Sequence, residues 1–176
     1  GWNTSSGTTT DTTIFDVPMV IGSETTPWGG SLTINDIIIS GTDGVGLTVY
    51  SDGSVTIEDS EFTQNDEAGV YIDADEDVNV KRSKVNDNGS NDWNVVDGKG
   101  LEIKSGGYVA LADVEANDNQ IFGADIEAVK GVAIKNSFFN GNLMYTNDFA
   151  EYFGYGLTVK IVENPDGVFD PRADIA

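Results

Sequence analysis

The sequence predicts an all-β fold, a single-stranded right-handed parallel β-helix of about five to six coils of about 23 residues each. Three observations predict it. First, SVTIEDSEFTQND from Ser54, DVNVKRSKVNDNG from Asp77 and GVAIKNSFFNGNL from Gly131 align without a gap, and YVALADVEANDNQ from Tyr108 fits with more divergence. Second, their leading apolar residues, with Leu32 before them, fall at Leu32, Val55, Val78, Val109 and Val132, spaced 23, 23, 31 and 23 apart. Third, no window holds an amphipathic helix, because β-branched residues and Gly interrupt every one. A fixed period of this length with short alternating segments is the pattern of a stacked repeat.

The columns of the repeat are chemically consistent. Two residues after each anchor stand Ile34, Ile57, Val80, Leu111 and Ile134; seven after it stand Ile39, Phe62, Val85, Ala116 and Phe139. A Gly-led strand closes each unit: Gly46-Leu47-Thr48-Val49, Gly69-Val70-Tyr71-Ile72, Gly100-Leu101-Glu102-Ile103, Gly123-Ala124-Asp125-Ile126 and Gly156-Leu157-Thr158-Val159. Each unit thus holds about three short strands whose alternation puts one face in and one face out. Stacked at roughly 4.8 Å, five coils span on the order of 25 Å.

Ten residues after each anchor lie Thr42, Asn65, Asn88, Asn119 and Asn142. Asn accepts left-handed backbone and bonds its own turn, and an inward Asn can also bond the Asn of the next coil. An aligned, buried Asn column is therefore expected, because each amide satisfies its neighbour.

The repeat resembles the parallel β-helix repeat family, the fold of pectate lyases, polygalacturonases, alginate epimerases, tailspikes and many bacterial surface proteins. The S-x-F-x-x-N pattern Ser60-Phe62-Asn65 carries the resemblance, echoed at Ser83-Val85-Asn88 and Ser137-Phe139-Asn142, over about Leu32 to Val159. It implies the fold and leaves the activity open, since one fold hosts many functions.

The ends differ from the repeat. Residues 1–13 (GWNTSSGTTTDTT) read as a linker or frayed N-terminal segment. Residues 14–31 read as an N-terminal cap or partial coil, with Ile14, Phe15, Val17, Val20 and Ile21 available to cover the apolar end of the stack. The β-helix proper spans 32–163, and 164–176 reads as a C-terminal tail or the start of a next domain, in a longer multidomain chain.

Composition bounds the chemistry. Thirty acidic residues face nine basic ones among 176, for a net charge of −21, which disfavours nucleic acid and anionic membranes as partners. No apolar run approaches the length of a membrane span. With neither Cys nor His, thiolate, imidazole and Ser-His chemistry are excluded. Lys81, Arg82 and Lys84 stand one period after Glu58, Asp59 and Glu61 and one coil before Ala112, Asp113 and Glu115, and Lys104 falls between Asp73 and Glu127, so ion pairs between coils are their expected role. The alternative makes Lys81 or Arg82 the base of a lyase.

Two candidate sites follow. The acidic turn Asp73, Asp75 and Asp77, with Asp52 from the coil before, is the candidate calcium site, although it lacks the later ligands of an EF-hand; the alternative is a solvated turn partly neutralised by Lys104. Two insertions, Gly89 to Lys99 and Leu143 to Tyr155, leave the stack at the same turn and collect Trp93, Phe122, Tyr145, Phe149, Tyr152, Phe153 and Tyr155 on one side. Exposed rings beside Asn and Asp suit carbohydrate, whose C–H faces stack on rings while hydroxyls bond amides and carboxylates. The alternative is that the second insertion is a short helix or lid packing its rings on the stack. The reading is a non-catalytic extracellular or cell-surface module, structural or adhesive, binding a polysaccharide or surface glycan; the alternative is a calcium-assisted lyase of acidic glycans.

Overall fold

A computed structural model describes residues 13–89, 98–143 and 155–162 in full, and the backbone alone of 2–3, 8–9, 144–145, 152–153 and 174–175. Three parallel sheets carry the repeat. Sheet I stacks Met19–Ile21, Leu47–Ser51, Val70–Ala74, Lys99–Ser105, Phe122–Ala128 and Tyr155–Ile161. Sheet II stacks Leu32–Asn35, Val55–Glu58, Val78–Lys81, Tyr108–Ala112, Gly131–Lys135 and Asp174–Ile175. Sheet III stacks Thr13–Phe15, Ile37–Ser40, Glu61–Thr63 and Lys84–Asn86, and single bridges carry it on through Glu115 and Phe138. The chain runs from sheet II to sheet III to sheet I in every coil, so each strand pairs with its equivalent one period away.

The register is that of the repeat. Ile57 pairs with Ile34 and Val80, and Leu111 with Val80 and Ile134. Ile57, Val80 and Leu111 are buried, as are Phe62, Val85 and Ala116 in the neighbouring column. Ile134 and Phe139, in the last full coil, are only partly covered. Burial alternates strictly along the Val70–Ala74 strand, which turns Tyr71 and Asp73 outward. A side chain added to the core of this stack must fit between fixed layers, so cavities and overpacking are both costly.

The asparagine column is present as a ladder. Asn65 Nδ2 donates to Asn88 Oδ1 at 2.9 Å, Asn88 Nδ2 to Asn119 Oδ1 at 2.9 Å, and Asn119 Nδ2 to Asn142 Oδ1 at 3.0 Å. Thr42 heads it by donating its hydroxyl to Asn65 Oδ1. The leading glycines are the ladder's steric counterpart. A Cβ on Gly69 would lie 2.7 Å from Asn88 Nδ2, and one on Gly100 equally close to Asn119 Nδ2. Two columns of residues hold positive φ: Asp36, Asp59, Arg82, Asp113 and Asn136 at one turn, and Gly41, Gln64, Asp87, Asp118 and Gly141 at another. Asp, Asn and Gly predominate there because they tolerate the left-handed region.

The N-terminal coil corrects one expectation. Residues 13–21 continue two of the sheets as a partial coil, and Phe15, Met19 and Ile21 cover the core. Ile14, Val17 and Val20 are exposed, because strand alternation turns Ile14 and Val20 outward.

Candidate functional site

Sheet I carries the side chains with chemistry to offer. At the start of the Phe122–Ala128 strand burial does not alternate strictly: Gly123 and Ala124 are both buried, Gly123 against Asn142 Nδ2, while Phe122 is partly covered. Phe122 pairs in register with Lys99 on one side and Tyr155 on the other. The Phe122 and Tyr155 rings stack with centroids 5.6 Å apart and planes 12° apart, and Tyr155 is 59% exposed. Beside them the Lys99 ammonium bridges Glu102 at 2.9 Å and Asp125 at 3.4 Å. The result is an offset ring platform flanked by a pre-ordered set of charged groups. Its apolar half accepts a flat C–H face, and its polar half bonds hydroxyls.

The other predicted aromatics divide. Met144–Tyr145 and Tyr152–Phe153 form an antiparallel hairpin, pairing Tyr145 with Tyr152, in place of a short helix. Three of the four paired residues are aromatic, a composition that favours a strand over a helix. The side chains of Tyr145, Tyr152 and Phe153 lie outside the described residues, as do Trp93 and Phe149 altogether.

The candidate calcium residues also divide. Asp52, Asp73 and Asp75 line one open cavity of about 270 Å³ with Ser23, Glu24, Pro27, Tyr50 and Ser51. Asp77 is turned to the next coil, where its Oδ1 accepts from the Tyr108 amide at 2.8 Å. Among the described residues no three carboxylates converge closely enough to hold a metal ion. The charged residues of the cavity lining, Glu24, Asp52, Asp73 and Asp75, are all acidic. Lys104 pairs in register with Asp73 and Glu127, but its ammonium donates to Tyr71 Oη at 3.2 Å and sits 5.4 Å from that ring's centroid. That hydrogen bond is the main cause holding the Lys104 ammonium above its ordinary pKa. Tyr50, tilted against Tyr71 with centroids 5.7 Å apart, is held above the usual phenol range chiefly by burial, with the Tyr71 phenol adding to it. Tyr71, Glu102 and Asp125 share one outward column, spaced 31 and 23 residues apart, whereas Tyr50 stands in the column of Asp73, so the period alone does not bring Tyr50 and Tyr71 together.

The basic residues on sheet II and its turn are paired. Lys81 bonds Glu58 at 3.1 Å, and Arg82 reaches Asp59 at 2.7 Å and Glu58 at 2.9 Å. Lys84 faces Glu115 of the following coil at 3.8 Å, rather than Glu61 of the preceding one. Glu58 is held below the usual carboxylate range by the Lys81 hydrogen bond first and Arg82 second, and Asp59 by Arg82.

The family model described as a right-handed β-helix region matches residues 25–165. The chain belongs to this right-handed β-helix family. No curated protein and no solved structure matches it. Within the β-helix the match covers every full coil, including the turns from which both insertions leave, so the ring platform and the acidic cavity are both built on the family's scaffold.

Proposed function

We propose that this β-helix is a non-catalytic module of a surface or secreted protein that binds carbohydrate on the Phe122–Tyr155 platform. The observation that carries the reading is the stacked ring pair, an exposed Tyr155 on a partly covered Phe122, with the Lys99–Glu102–Asp125 group fixed beside it. Rings held by a sheet lose little entropy on binding, and saccharides pack on such faces. An acidic chain without His or Cys suits a saline external medium. The non-catalytic side is supported by Lys81 and Arg82, the bases a lyase would need, being engaged by Glu58 and Asp59.

The test is titration of the protein with a panel of neutral, amino and uronic oligosaccharides, followed by calorimetry. Tyr155→Ala and Phe122→Ala, with unchanged circular dichroism, are expected to weaken binding at least about tenfold, the scale of one lost ring contact. No binding by any glycan, or binding indifferent to both substitutions, overturns the reading. Ultraviolet-absorbing unsaturated product from pectate or alginate with calcium would establish the lyase instead.

A further inference from the structure

The sequence contains two Asn-Gly steps, Asn88-Gly89 and Asn140-Gly141. Asn-Gly is the step at which a backbone amide most readily attacks the preceding side chain, because Gly leaves the nitrogen unhindered. The two steps sit in opposite surroundings. Asn88 is 1% exposed. Its Nδ2 donates to Phe62 O at 3.0 Å and to Asn119 Oδ1 at 2.9 Å, while its Oδ1 accepts from Asn65 Nδ2 and the Asn65 amide. The Gly89 amide donates to Asn65 O at 2.8 Å. Both the carboxamide and the attacking nitrogen are therefore held, and neither can rotate without breaking the ladder.

Asn140 lies one turn earlier, in an outer column. Asn86 Oδ1 accepts from the Asn117 amide and Asn117 Oδ1 from the Asn140 amide, each at 2.8 Å. Asn140 is the last described member of this column. It is exposed, and its carboxamide has no hydrogen-bond partner among the described residues. In the adjacent column the amides of Gly41, Gln64, Asp87 and Asp118 each donate to a carbonyl of the following coil. Gly141 is the last described member of that column, and no described carbonyl accepts from its amide. Gly141 has φ +67, and with no Cβ it leaves room for Asp118 Oδ1. Among the described residues, the step whose carboxamide has no partner is also the one whose nucleophile has none.

We infer that Asn140-Gly141 is a spontaneous deamidation site of the folded protein and that Asn88-Gly89 is protected by the ladder. In the first step the Gly141 nitrogen bonds to Asn140 Cγ, the Cγ–Nδ2 bond breaks, and the nitrogen's proton leaves with the amide group as ammonia. Water then opens the succinimide at either carbonyl, giving aspartate or isoaspartate. The net change is one water consumed and one ammonia released, with no oxidation. The isoaspartate product lengthens the backbone two residues before Asn142, whose Oδ1 takes both donors of Asn119. Ageing at Asn140 therefore loosens the last rung of the buried ladder.

The test is incubation of the native protein at mildly alkaline pH, with peptide mass mapping and enzymatic isoaspartate labelling over time. The expected result is conversion at Asn140 with Asn88 at least about tenfold slower, because Asn88 reacts only through opening of the stack. The same protein in denaturant is expected to convert at both sites. Asn140→Ser is expected to abolish the early isoaspartate signal without moving circular dichroism. Equal rates at the two sites in the native protein, or no conversion at Asn140 while the denatured chain converts there, would overturn the inference.

Discussion

Gly89 and Gly98 face each other across the base of the first inserted segment: a Cβ on either would lie 2.8 or 2.7 Å from the other's Cα. Their Cα atoms are thus within about one trans-peptide step, about 3.8 Å. Both glycines also press on Gln120 of the next coil. The segment between them accounts for the lengthening of one period from 23 to 31 residues.

Excising residues 90–97 and joining Gly89 to Gly98 is therefore expected to leave the stack intact. Asn88 and Gly100 would then stand in the same relation as Asn65 and Gly69. The melting temperature should change by no more than a few degrees, and circular dichroism should stay that of a β protein. Loss of cooperative unfolding would show that the segment helps hold the coils.

Removing a rung of the buried ladder is expected to be costly. Asn88→Ala strands the Asn65 amide, takes a donor from Phe62 O and leaves Asn65 Nδ2 with only its 3.5 Å bond to Ile39 O, while Asn119 Oδ1 keeps the backbone amide of position 88. At about 1–3 kcal/mol for each stranded buried group, partly relieved by entering water, a loss of about 3 kcal/mol or more is expected. Asn117→Ala, in the outer column, should cost less than about 1 kcal/mol. Denaturant unfolding of both variants checks the contrast, and equal costs would mean the buried ladder adds little.

Core burial sets a second scale. Ile57 is fully buried between Ile34 and Val80, so Ile57→Ala is expected to cost about 2–5 kcal/mol by equilibrium unfolding.

The Arg82 cluster predicts a pH dependence. Glu58 and Asp59 have depressed folded values, so their pairing stabilises the protein above the unfolded carboxylate range, near pH 4, and the contribution is lost as pH falls through the lower folded values. Arg82→Gln should therefore be less stable than the native protein at neutral pH, with the difference closing below about pH 4. Since these side chains are largely exposed, high salt should close it too. A difference independent of pH would place the effect of Arg82 in packing.

The net charge of −21 predicts a melting temperature that rises with sodium chloride, through screening over about 8 Å at physiological ionic strength. With Asp77 committed to Tyr108 and no three carboxylates converging among the described residues, calcium at matched ionic strength is expected to add nothing further. An extra rise, reversed by EDTA, would show that Asp52, Asp73 and Asp75 close on the ion.

The sequence by itself determined the stack. Inward residues such as Ile57 and Val80, and the buried ladder of Asn65 and Asn88, repeat with the chain's own period, because a coil places equivalent residues one strand spacing apart. The same periodicity accounts for the glycines, which make room for the asparagine amides. Only the tertiary structure decided where the outward side chains go. Lys104 left Asp73 and Glu127 for Tyr71, Lys84 chose Glu115, and Asp77 turned from its neighbouring carboxylates to the Tyr108 amide. The physical reason is that inward positions are specified by volume and by buried hydrogen bonds, which tolerate one arrangement. Outward side chains choose among several partners of similar energy in a high-dielectric medium, and only the positions of all the neighbours settle that choice.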